Sequence, residues 1–163
     1  MLYLKNLIYI GAIFLAIIHN LIAQPHLDSI FVWNNVPLQS HLDSLKNLKF
    51  LKNSNFMQIY VNQNELKNFE GIAIQSVRYY FYNKKLHSIT IKTEENAEHA
   101  EMLLQWLTIM FGEGKQYGLA PRYSWKGKQT EIYYDKNIIT HQVEWKIVDV
   151  TIQKEYEKTY KKM

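Results

Sequence analysis

Gly71-Ile72-Ala73-Ile74-Gln75-Ser76-Val77-Arg78-Tyr79-Tyr80-Phe81-Tyr82-Asn83-Lys84-Lys85-Leu86-His87-Ser88-Ile89-Thr90-Ile91-Lys92-Thr93 is the stretch on which the fold turns. Val77, Tyr79 and Phe81 alternate with Arg78, Tyr80 and Tyr82. After Asn83-Lys84-Lys85, Ile89 and Ile91 alternate with Ser88, Thr90 and Lys92. Period-two alternation on both sides of a polar turn predicts an antiparallel hairpin with one apolar face. A two-residue loop at Asn83-Lys84 pairs Phe81 with Leu86 but sets Ile89 opposite Arg78. A three-residue loop pairs Tyr82 with Leu86, Tyr79 with Ile89 and Val77 with Ile91, and is the expected register because it keeps the apolar positions together. It requires a left-handed residue at Asn83 or Lys85 without a glycine. Ile72 and Ile74 are out of phase with Val77, which requires a bulge near Gln75–Ser76.

Toward the C-terminus, Thr93 can cap a helix over Glu94–Phe111, with Glu94, Glu95 and Glu98 at its positive end. Ala100, Leu103, Leu104, Leu107, Met110 and Phe111 form its apolar stripe, and Gly112 stops it. Gly112 to Gly127 is loop-rich. Gln129–Tyr134 and Ile138–Ile152 predict a second hairpin around Asp135-Lys136-Asn137. Val143, Trp145 and Ile147 lie on odd positions but Val148, Val150 and Ile152 on even ones, which predicts a bulge or bend near Ile147–Val148. Lys154–Met163 reads as a charged, frayed helical tail. Toward the N-terminus, Ile30–Trp33 is a short strand and Asn34–Pro37 a turn. Ser40 can cap a helix whose face is Leu38, Leu42, Leu45 and Leu48 and which ends by Asn53. Phe56–Val61 is a strand and Asn62–Asn68 a polar loop. This order predicts an α+β fold in two layers, a mostly antiparallel sheet of about five or six strands with two helices packed on one face.

The chain has 163 residues, a formal net charge of +4, 47% hydrophobic residues and no cysteine. That excludes a disordered chain, a disulfide framework, a thiol nucleophile and cysteine-ligated metal. Lys5 followed by the apolar run Leu7–Ile18 has the form of a secretory signal, broken by His19 and Asn20 before bilayer-spanning length. The expectation is a signal peptide over 1–23, cleaved after Ala23, and a single domain over 24–163 that is periplasmic or secreted and has no stable membrane anchor. The alternative is an uncleaved N-terminal helix that anchors it.

Gly112-Glu113-Gly114 follows a helix rather than preceding one, so it is a helix stop and not a phosphate loop. Glu95 and His99 have ligand spacing but no further partner, and no metal or cofactor is expected. His-Leu-Asp-Ser, repeated at 26–29 and 41–44, is too short for a structural repeat. Two features point to binding. The stretch 115–128 interleaves Tyr117, Tyr123 and Trp125 with Arg122, Lys126 and Lys128, a combination that binds glycans, anionic polymers or peptides by stacking and charge. Tyr80 and Tyr82 share with Arg78 the face opposite Val77, and an aromatic open sheet face can bury a partner. These nine residues are the candidate binding set. The expected function is a non-enzymatic, exported domain that binds an envelope protein or a glycan, with no nucleic acid. The alternative is an envelope hydrolase using Glu131 and Asp135.

The segment Val77 to Ile89, the helix ending Phe111-Gly112, then Trp125-Lys126-Gly127 and Thr130-Glu131-Ile132-Tyr133-Tyr134 together resemble small exported bacterial β-β-α-β-β domains of unknown function. The resemblance covers about half of the expected mature chain and implies a structural motif. It assigns no site residues.

Overall fold

The computed structural model describes Leu27–Asp28 and residues 32–161. The expected signal peptide over 1–23 lies outside the described residues. The strands are β1 (Val32–Trp33), β2 (Val36–Pro37), β3 (Leu48–Ser54), β4 (Met57–Asn62), β5 (Asn68–Phe69), β6 (Ile72–Tyr82), β7 (Lys85–Thr93), β8 (Lys115–Gln116), β9 (Arg122–Lys126), β10 (Thr130–Lys136) and β11 (Val143–Asp149). The α-helices are α1 (Ala97–Phe111) and α2 (Val150–Tyr160). β1 and β2 form a small ribbon. The other nine strands form one antiparallel sheet in the order β3-β4-β6-β7-β11-β10-β9-β8, with β5 added beside β6.

This corrects the expected sheet of five or six strands. Two of the segments read otherwise supply much of the difference. The leucine-spaced segment is not a helix: only Leu42–Ser44 makes a 3-10 turn, and Leu48–Ser54 is β3, paired with β4 through the tight turn at Asn55-Phe56. Leu38, Leu42, Leu45 and Leu48 still pack on the core. Helical spacing therefore reported a one-sided environment, which an irregular chain supplies as well. The stretch expected as a loop contains β8 and β9.

The central hairpin has the expected inner pairs, Tyr79 opposite Ile89 and Val77 opposite Ile91. It reaches them by another route. The loop is two residues, Asn83 (φ 47°) and Lys84 (φ 62°), both left-handed as a type I′ turn demands. Phe81 then faces Leu86, and a bulge at His87 restores the phase, so that Tyr80 faces Ser88. The register also shifts between Ile74 and Ser76, at the expected position. In β11 no bend occurs: pairing with β10 runs unbroken from Lys136↔Val143 to Thr130↔Asp149. Val148 is apolar on the other face because that face is covered there too.

α1 is capped by Asn96, whose side chain accepts the N–H groups of Glu98 and His99, rather than by Thr93. Gly112 ends it with φ 78°. Its residues Ala100, Leu103, Leu107 and Phe111 are buried against the face carrying Val77, Tyr79, Phe81, Ile89, Ile91, Trp145 and Ile132. Burial of this size is the main source of stability in a chain without cross-links. The Trp145 ring lies 5.5 Å from Trp33 and 5.9 Å from Trp106, so aromatic rings tie the β1–β2 ribbon and α1 to the sheet. The Glu65 carboxylate accepts from Trp33 Nε1 (3.1 Å), Asn34 Nδ2 (3.3 Å), the Leu66 N–H (3.0 Å) and the buried Tyr79 hydroxyl (2.7 Å).

The two helices do not share one face. α2, capped by Asp149, crosses the opposite side of the sheet: Tyr156 meets Tyr82 edge-on at 5.7 Å, and Gln153 bonds His87. One end of the molecule is thus three layers deep, and among the described residues no further element covers the rest of the α2 side, called the open side below. Among the described residues no helix is long and apolar enough to cross a membrane.

Candidate functional site

Alternation along each strand fixes which residues lie on the α2 side, and of those in the rows below Ile59, Ser88, Thr90, Val148 and Ser124 are buried there. Registers place Ile59, Tyr80, Ser88, Val148, Glu131 and Lys126 side by side in one row, from β4 to β9. The next row is Arg78, Thr90, Lys146, Tyr133 and Ser124. A third is Ser76, Lys92, Glu144, Asp135 and Arg122. Lys52 pairs with Ile59 and Lys49 with Val61, two residues on, so both lysines extend this face to the sheet edge.

The charges fall into two groups. Lys92 is paired with Glu144 (3.1 Å), Arg122 with Asp135 (2.9 Å) and Lys126 with Glu131 (3.2 Å), each across neighbouring strands. Lys49, Lys52, Arg78 and Lys146 have no ion-pair partner among the described residues. Lys146 is the most constrained of them. It is half-buried beneath α2, and burial lowers its pKa, with Glu144 acting weakly in the other sense. It lines a cleft of about 380 Å³ between the sheet and α2, together with Lys126, Glu131, Tyr133, Gln153, Lys154 and Glu157. The Tyr133 hydroxyl donates to Glu131, and burial followed by that bond raises its pKa strongly. The Tyr117 ring stands edge-on to Tyr133 at 6.2 Å.

Behind the cleft, His87 occupies the bulge. Gln153 Nε2 donates to Glu157 Oε1 (2.6 Å), which turns Gln153 Oε1 toward His87 Nε2 (2.7 Å). His87 therefore carries its proton on Nε2, and Nδ1 accepts from the Ser88 hydroxyl (2.9 Å). Burial pushes the His87 pKa down to about 4. His87 is enclosed and Gln153 half-buried, and the bond between them fixes α2 to the sheet.

The nine residues expected to bind divide four ways. Arg78 and Tyr80 are half-buried on the open face, and Tyr117, Arg122 and Lys126 border it. Tyr82 (6% exposed) is covered by α2, and its hydroxyl bonds Thr159. Trp125 (4% exposed) and Tyr123 face the other way, onto the α1 side. The Trp125 indole donates to the Gly112 carbonyl (2.8 Å) and its ring lies against Gly114, where a Cβ would come within 2.7 Å. The Gly112–Gly114 cluster is thus a seat for that ring. Lys128 lies in the β9–β10 turn, whose backbone N–H groups at 128, 129 and 130 donate to the Asp28 carboxylate.

Glu131 and Asp135 lie four residues apart on one strand, about 13 Å by strand geometry, and each is bridged to a cation. Carboxylate pairs that cleave glycosides are closer, about 5–9.5 Å. Among the described residues no cluster of three metal-ligating side chains occurs. Sequence reasoning missed Lys49, Lys52 and Lys146. The signal for Lys146 was its even position between Trp145 and Ile147, obscured by the bend expected one residue later. No family model, curated protein or solved structure matches this chain.

Proposed function

We propose that this chain is an exported binding domain that holds an acidic, carboxylate-bearing glycan on the open side of its sheet, with the Lys146 cleft as the anchor point. One observation carries the proposal: Arg78, Lys146, Lys49 and Lys52 place positive charge on a single face without an ion-pair partner among the described residues, while Lys92, Arg122 and Lys126 on that face are paired. Lys146 is half-buried and forms no ion pair with the nearby Glu144, Glu131 or Glu157, so a carboxylate from a ligand that bonds it directly offsets part of its burial cost. Tyr80 and Tyr133 lie in the same rows and offer ring surface to a sugar. A flat sheet suits an extended polymer better than a small molecule. Export rests on the sequence of residues 1–23.

Calorimetric titration with polygalacturonate at low salt, with dextran as the neutral control, tests this. The wild-type chain binds the acidic polymer, and raising salt weakens binding. Changing Arg78→Glu and Lys146→Glu together lowers affinity at least tenfold while circular dichroism stays native. Undiminished binding by the folded double variant, or equal binding of dextran, overturns the proposal.

A further inference from the structure

Among the described residues β3 is the outermost strand of the nine-stranded sheet and has a partner on one side only, β4. It is seven residues long, whereas the strand at the other edge, β8, has two. Folded proteins blunt long edges because unpaired N–H and C=O groups recruit further strands. Here the edge is also apolar: Phe50 and Leu51 are each 48% exposed, and Phe56 in the adjoining turn is 52% exposed. Its charge has one sign. Lys49 and Lys52 lie on the strand and Lys46 just before it, and Leu48–Ser54 contains no acid.

We infer that β3 is a docking edge for an extended acidic peptide segment, which adds to the sheet as a further antiparallel strand. The two sides of β3 specify the pattern of that segment. Lys49 and Lys52 point to the open face with their partners Val61 and Ile59. Phe50 pairs with Tyr60 and meets its ring edge-on at 5.5 Å on the other face. Leu51 bulges out of β3, which puts Lys49 and Lys52 on one face although they are three residues apart, and an added strand that alternates acidic and apolar residues and pairs across this bulge as β4 does places its carboxylates beside the lysines and its apolar side chains beside Phe50. A second copy of this chain is the less suited occupant, since β3 against β3 brings lysines together. This inference shares Lys49 and Lys52 with the proposed glycan face but rests on the free edge of β3, which that face does not use.

The probe is a synthetic octapeptide of alternating Glu and Val, followed by amide chemical shifts and amide hydrogen exchange on the full chain. The expected result is saturable shifts confined to residues 48–54 and slowed exchange there. Reversing Lys49→Glu and Lys52→Glu weakens binding at least tenfold. The same octapeptide N-methylated at alternate residues, which keeps its charge but loses donors, does not bind. Lys146→Glu leaves peptide binding unchanged, which separates this edge from the glycan face. Equal binding of the N-methylated peptide overturns the inference, as do shifts centred on Arg78 and Lys146 or self-association of the chain through β3.

Discussion

Lys84 and Glu65 show how single residues set the terms of this fold. Lys84 is held at φ 62° in the turn of the central hairpin, a conformation a side chain with a Cβ adopts at a cost. Its contact with Asp43, 3.5 Å and exposed, contributes little. Lys84→Gly places a glycine directly after Asn83, the Asn-Gly pair that a type I′ turn prefers, and raises stability by roughly 0.5–1 kcal/mol, a rise of about 2–4 °C in Tm. Differential scanning calorimetry checks this, and a fall in Tm contradicts it. Glu65 is the acceptor of the Tyr79 hydroxyl, which is fully enclosed. Burial and the Glu65 contact raise the pKa of that hydroxyl, so it stays a donor at every ordinary pH. Glu65→Ala strands it and costs about 1–3 kcal/mol in urea unfolding. Adding Tyr79→Phe recovers part of that loss; an additive double variant would mean that the bond carries no coupling.

At the scale of elements, the bulge at His87 and helix α2 act together. The His87 ring is neutral in the folded chain, with a pKa near 4, against about 6.5 in the unfolded chain. Between those values the unfolded chain binds a proton that the folded chain refuses, so stability falls as the pH drops through this window and levels off below about 4. Lys146 reinforces the neutral form and Asp149 opposes it. The full effect is about 3 kcal/mol. Urea unfolding at pH 7 and pH 4.5 measures it. The His87→Gln variant is weaker at pH 7 but loses less stability between the two, and an equal loss in both chains would remove His87 from the account. The same elements show what the sequence made legible. Strict alternation in β6 and β7 gave the inner pairs, because one face is dry along the whole strand. The turn type and the bulge were not legible, since a two-residue loop with a bulge and a three-residue loop satisfy the same alternation. Val148 suggested a bend because alternation alone does not distinguish a bent strand from one buried on both faces, and Val150 and Ile152 fell out of phase because the strand ends at Asp149 and α2 begins. The leucines at 38–48 met the core without forming a helix. The candidate site was half legible. Arg78 and Tyr80 followed from alternation, while the burial of Tyr82 and Trp125 depended on where α2 and Gly114 lie, which is a matter of long-range packing.

For the whole molecule, the asymmetry of the sheet is the organising fact. α1 and the aromatic rings around Trp145 close one side, and α2 closes only one end of the other. The positive charge left unpaired lies on the remaining open area and runs to the β3 edge. The measurement that tests this most directly is a map of amide chemical shifts on titration with polygalacturonate. The account predicts that the shifted residues cluster on the open face, at Arg78, Thr90, Lys146 and Tyr133, and that α1 is silent. Shifts centred on α1, or spread evenly over the exposed lysines, would contradict it.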